Sequence, residues 1–387
     1  MAASPQGVAP VTVRASLGFS RPAEVVEDYD NRGLKRAVTR PLDGDFDAQF
    51  EMRECALNDW SQRGSGVLDL LTMGFEAIDL SPHKELQALL AGIRAAAEIT
   101  PDEAKRLRRL LTGRVFPLSQ GKCLKFLNIA PEGLIMRQGG PNGMKLGHTM
   151  SEMNGHDVAM AVHGDQDVFG TPLRQIMRGR APMILRHQSP DARNTLSPLV
   201  LVNVWIPLQQ ITRPLTFMDR RTLKGPQQQL RYALPTETFL DRSEDMRFND
   251  IWSFLYDEEQ DWYFSSDMGH DQAYVFDTLG EPHGALAHSH QHALQALRGR
   301  HADLEGRLGV GDFLVHLGIN LAVEFRAAEP RRLHFRERRL HLRLGGGEGL
   351  GQTLARLGRV ELTELWGATL LHAAVMIRNE EIVEMLL

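Results

Sequence analysis

Between about residues 114 and 276 the chain is a succession of short apolar runs, each stopped by Gly, Pro or Asn. No other feature limits the fold as much. The runs include Gly133-Leu134-Ile135-Met136, Met183-Ile184-Leu185 and Leu199-Val200-Leu201-Val202-Asn203-Val204-Trp205-Ile206. Leu215-Thr216-Phe217-Met218, Trp262-Tyr263-Phe264 and Ala273-Tyr274-Val275-Phe276 continue the series. Most are shorter than a stable helix and are bounded by turn residues. That combination predicts strands of a sandwich or barrel such as a jelly roll.

Helical signals precede the strands. Leu86, Leu89, Leu90 and Ile93 recur at i, i+3, i+4 and i+7, one face of a helix that Ser81-Pro82 can open. Thr100 and Glu103 have capping-box spacing around Pro101, which predicts a second helix. The fold class expected is therefore α+β, a β core with helices in front of it. Residues 1–45 read as a flexible leader, 46–113 as a helical N-terminal part and 114–300 as the β core. Residues 301–350, which contain Gly345-Gly346-Gly347, read as a linker or irregular extension. The stretch 351–387 reads as a helical extension. Its Thr369-Leu370-Leu371-His372-Ala373 resembles the start of an ankyrin repeat, with Leu370 where Pro is usual. One such repeat does not bury its own face, so it implies a docking surface or a protein partner.

Composition narrows the function. A net charge of −5 gives no support for nucleic-acid or anionic-membrane binding. No apolar run reaches the length of a membrane span. Two cysteines, Cys55 and Cys123, are too few for a disulfide framework or a thiolate metal site. A reduced, cytoplasmic setting is expected.

The candidate chemistry lies in Val162-His163-Gly164-Asp165. Residues two apart on a strand share a face, so the His163 imidazole and the Asp165 carboxylate stand side by side. Two histidines and one carboxylate on one face of an iron leave three positions open, the arrangement of non-haem Fe(II) oxygenases. The third ligand must come from a distant strand. His283, in Glu281-Pro282-His283-Gly284-Ala285, follows the Ala273–Phe276 run and is the leading candidate. His288, His290 and His292 are its rivals. Asn203 and Trp205 share a strand face, and Trp205 reads as core. Arg213, before Pro214, could bind an acidic cosubstrate, but a surface ion pair is the leading reading.

Taken together, the segment from about Gly155 to Leu286 resembles the Fe(II)/2-oxoglutarate-dependent oxygenases, in the branch of cephalosporin methoxylase and gibberellin-desaturase-like proteins. Three blocks carry the resemblance: Val162–Asp165; Asn203–Leu208 with Arg213–Asp219; and Trp262–Phe264 with Asp267-Met268, leading through Val275–Thr278 to Pro282–Ala285. They span about a third of the chain. The resemblance implies a double-stranded β-helix with His163, Asp165 and His283 as iron ligands and 2-oxoglutarate as cosubstrate. It implies dioxygen and a small-molecule substrate as reactants. Members of the family carry an arginine after the distal histidine that pairs with the far carboxylate of 2-oxoglutarate. Arg298 and Arg300 are the candidates here, although Gln291–Arg298 reads as helix, and Tyr263 is a candidate hydrogen-bond donor. A carboxylate at 165 argues against a halogenase. Two alternatives stay open: a metal-dependent oxygenase that does not use 2-oxoglutarate, and a non-catalytic β-barrel binding protein.

Overall fold

A computed structural model describes residues 12–38, 50–62, 68–129, 134–138, 156–157, 159–188, 193–208, 213–235, 248–286 and 313–326. The longest apolar run becomes the strand Leu199–Pro207, buried along its whole length. Its alternating side chains serve two different layers, as the pleat requires. Val200, Val202, Val204 and Ile206 pack with Leu86, Leu90, Ile93, Leu107 and Leu111 of two helices. On the opposite face Trp205 packs with Phe217, Leu215 and Ala285 of a second sheet. The order of layers is therefore helices, sheet, sheet.

The helices follow the sequence signals closely. Lys84–Ala96 buries Leu86, Leu89, Leu90 and Ile93. It begins two residues later than expected: His83 occupies the cap, and Ser81-Pro82 form the preceding turn. Pro101–Leu111 starts with the predicted capping box, Thr100 Oγ1 accepting from Glu103 N at 3.3 Å while Thr100 N donates to Glu103 Oε2 at 2.9 Å.

The helix-covered sheet has eight strands among the described residues. Its main path runs Phe75–Asp79, Gln272–Asp277, Leu199–Pro207, Phe313–Arg326, Lys122–Ile129, Val115–Pro117. The facing sheet has ten, in the order Thr12–Ser20, Phe50–Asp59, Trp262–Phe264, Leu215–Met218, His283–Ala285, His163–Gly164, Phe248–Phe254, Gln229–Pro235, Arg36–Ala37, Val25–Val26. The result is a mixed α+β chain built on two packed, mostly antiparallel sheets in a jelly-roll-like arrangement.

Three expectations need correction. Part of the supposed leader is the strand Thr12–Ser20, paired with Phe50–Asp59 over its full length. Val13, Ala15, Leu17 and Phe19 are buried on one face, and burying them outweighs the ordering cost of a terminal segment. Residues 46–113 are not purely helical, since Phe50–Asp59 and Phe75–Asp79 are sheet strands. The β core also continues past residue 300. Phe313–Arg326 inserts between Leu199–Pro207 and Lys122–Ile129 and pairs with both. The ankyrin-like stretch, the glycine run and Gln291–Arg298 lie outside the described residues. No described helix is long and apolar enough to cross a membrane.

Candidate metal centre

The ten-stranded sheet sets the site by register. His163 pairs directly with His283 on one side and with Ser253 on the other. His283 pairs in turn with Phe217, and Phe217 with Tyr263. Directly opposed residues present their side chains on the same face. The row Ser253, His163, His283, Phe217, Tyr263 therefore faces the space between the sheets. Asp165, just past the His163–Gly164 strand, brings its carboxylate back toward both imidazoles.

One ligand atom from each of His163, Asp165 and His283 lies within 4.8 Å of the others. His163 Nε2 is 3.5 Å from Asp165 Oδ1, and His283 Nε2 is 3.5 Å from Asp165 Oδ2. The other nitrogen of each ring is anchored. His163 Nδ1 is 2.8 Å from the Ala161 carbonyl oxygen, and His283 Nδ1 is 2.9 Å from that of Glu281. A carbonyl only accepts, so both Nδ1 atoms donate, which leaves Nε2 of each ring, the nitrogen turned toward the carboxylate, as the ligand atom. Two imidazole nitrogens and a carboxylate form a donor set suited to a divalent first-row metal. The tautomers are fixed in the way metal-binding histidines usually are. The residues fit an iron.

Asn203 makes a contact with the site that its place on the Trp205 face did not assign to it. It is buried and donates through Nδ2 to Asp165 Oδ2. Its Oδ1 accepts from Thr278 Oγ1 at 3.2 Å. The helix-covered sheet thus aims the carboxylate at the two histidines of the other sheet. The signal was present: a lone amide in the middle of an otherwise apolar run must have a buried partner.

Two further supports come from beyond the ligand strands. Gly18 N donates to Met160 O at 3.3 Å and Val162 N to Gly18 O at 2.7 Å, so the N-terminal strand braces the segment carrying His163. A Cβ at Gly18 would lie 3.2 Å from Ala161 Cα, which explains the glycine. Arg32 donates to Asp167 from Nη1 at 2.9 Å and Nη2 at 2.6 Å, and it lies over the rings of Phe169 and Trp252. Burial pushes the Asp167 carboxyl above its ordinary range and Arg32 works against that rise. Desolvation also holds the Glu281 carboxyl well above its ordinary range, with Arg220 the nearby cation opposing it. Its carboxylate lies where a Cβ on Gly74 would collide.

Access is one-sided. The His283 side chain is 4% exposed, against 13% for His163 and 23% for Asp165. Phe276 and Phe217 close the His283 side, with ring centroids 4.6 and 6.2 Å from that imidazole. The sequence candidates are thus placed unequally. His163, Asp165 and His283 converge. Tyr263 shares their sheet face, two strands from His283 with Phe217 between. Arg298, Arg300, His288, His290 and His292 lie outside the described residues. Trp205 is core, as read. Arg213 is not at the surface as expected: it is buried, with Nη1 3.5 Å from Met160 Sδ.

Residues 149–306 match the model of a family described as an oxidoreductase/YMDC permease-like domain. No curated protein matches the chain. Among solved structures it is similar to an iron and alpha-ketoglutarate-dependent endoperoxidase, NvfI, with 15% identity over 81% of this chain and 97% of that one and a TM-score of 0.42. The same enzyme in a different conformation gives 16% identity over 81% and 97%, with a TM-score of 0.43.

Proposed function

We propose that the protein is a non-haem Fe(II) dioxygenase that couples decarboxylation of 2-oxoglutarate to hydroxylation or desaturation of a small molecule. One observation carries the reading: three ligand atoms of the facial-triad type converge within 4.8 Å, with both imidazoles held in the metal-binding tautomer. The matched oxidoreductase-like segment includes all three residues.

In this reading His163, Asp165 and His283 hold the iron. The iron would supply sites for 2-oxoglutarate and dioxygen and the oxidising power released with succinate and CO2. The chain does the rest. Asn203 and Thr278 orient the carboxylate. Phe217 and Phe276 exclude water on the His283 side, which leaves the His163–Asp165 side for the substrate. Arg298, Arg300 and Tyr263 are the proposed holders of the cosubstrate. We assign 114–300 together with Phe313–Arg326 to a double-stranded β-helix core. We also propose a cytoplasmic setting and a protein-docking role for 351–387.

The test is anaerobic. Titrating 2-oxoglutarate into the Fe(II)-loaded protein should produce a visible charge-transfer absorption, and admitting oxygen should release succinate. His163→Ala should abolish both. Normal iron binding by a folded His163→Ala protein would sink the ligand assignment.

A further inference from the structure

One polar group beside the metal centre has no assigned task. Ser253 is directly opposite His163 in the Phe248–Phe254 strand, on the side away from His283. Its side chain therefore projects from the same sheet face as both imidazoles. The residue is 2% exposed, and its buried Oγ has no hydrogen-bond partner among the described residues. Buried hydroxyls are nearly always partnered, and an orphan next to a binding centre is best explained by a ligand group.

Among the described residues, its two strand neighbours offer it nothing. Across the sheet from Ser253 stands Leu230, fully buried and aliphatic. His163 gives Nδ1 to Ala161 O and turns Nε2 toward Asp165. The hydroxyl is thus an uncommitted donor, among the described residues, in the row that carries the two histidines. It also lies on the more exposed His163 side, and not on the side filled by Phe217 and Phe276.

Reach decides which part of a ligand it meets. Opposed side chains on neighbouring strands stand about 4.5–5.5 Å apart at Cβ. From one strand away, a serine hydroxyl reaches atoms next to the ligand set, and not the far end of an extended molecule. We propose that Ser253 is a further binding residue of this site, donating its hydroxyl proton to the 2-oxo acid head of the cosubstrate. The inference rests on the 2-oxoglutarate reading above.

The experiment uses the whole 387-residue chain loaded with Mn(II) under argon, with binding measured by calorimetry. The probes are 2-oxoglutarate and pyruvate, which share the 2-oxo acid head and differ in the second carboxylate. Ser253→Ala should bind Mn(II) within about twofold of wild type and should weaken for both acids by the same factor, about tenfold, as for a lost hydrogen bond to a charged group. Unchanged affinity for both acids overturns the inference. Weakening for 2-oxoglutarate alone also overturns it, because the hydroxyl would then serve the far carboxylate. A matching loss of Mn(II) affinity overturns it too, since Ser253 would then be acting on His163. Wild-type protein that holds Mn(II) but binds neither acid overturns the parent reading, and this inference with it.

Discussion

Replacing Asn203 by alanine should separate the orientation of the metal ligands from their identity. The side chain donates to Asp165 Oδ2 and accepts from Thr278 Oγ1. A carboxylate only accepts, so Nδ2 must face Asp165 and Oδ1 must face Thr278; the amide has one consistent orientation. Asn203→Ala removes a hydrogen bond to a charged group, worth about 1.5–3 kcal/mol. Partners that orient metal ligands typically contribute about 10–100-fold in affinity, roughly 1.4–2.7 kcal/mol. The two figures agree. We therefore expect Mn(II) affinity to fall about 10–100-fold while all three ligands remain. The same change leaves the fully buried Thr278 hydroxyl without this acceptor and should lower folding stability by about 1–3 kcal/mol. Thr278→Val is the control. It keeps shape and leaves the Asn203–Asp165 bond in place, so affinity should fall by less than about tenfold. Metal titration by electron paramagnetic resonance, with urea unfolding alongside, reads both quantities. A folded Asn203→Ala protein with wild-type Mn(II) affinity would refute the claim that the helix-covered sheet aims the carboxylate.

Three other outcomes follow from the packing. Gly164→Ala places a Cβ 3.2 Å from Trp252 Cδ1 and 3.3 Å from Gly280 Cα, between the two ligands. It should cost about 1–3 kcal/mol in urea unfolding and weaken metal binding; a neutral effect would mean that the turn relaxes freely. Arg32→Met leaves the Asp167 carboxyl buried without its partner and should destabilise by about 3–5 kcal/mol. A loss below about 1 kcal/mol would show that water enters the pocket. Burial pushes the Cys55 thiol up to about 12, so at pH 8 it should resist iodoacetamide in the native protein and react once unfolded. Alkylation at the unfolded rate would place Phe50–Asp59 in a segment that opens.

The legible parts of this molecule were those that repeat or that must carry a particular chemistry. Leu86, Leu89, Leu90 and Ile93 recur at helical spacing, and they pack as a helix face. His163 and Asp165 are two apart, and a turn after the strand brings them together with His283. The N-terminal strand was missed although Val13, Ala15, Leu17 and Phe19 alternate with outward residues. Gly and Pro nearby and the small core residue Ala15 weaken that alternation, and what stabilises it is a partner strand some forty residues away. Phe313–Arg326 was missed because His, Arg and Gly surround an apolar run whose partners, Leu199–Pro207 and Lys122–Ile129, are both distant. Strand pairing of that range has no local signature. Asn203 was visible as a lone amide, but its direction came only from the sheet that carries it.

The bond between Gly18 and Val162 bears on when the centre can form. The residues that shape it are 18, 163, 203 and 283, so nearly every contact closes a long loop. Contacts of that range form late, after the entropy of closure has been overcome. On the nascent chain a metal ion finds at most the local His163–Asp165 pair, because the second histidine is 120 residues away. Metal would therefore act on the finished fold by mass action, drawing the population toward molecules in which the N-terminal strand is already docked. Fraying of Thr12–Ser20 and release of the ion would then be two readings of the same equilibrium.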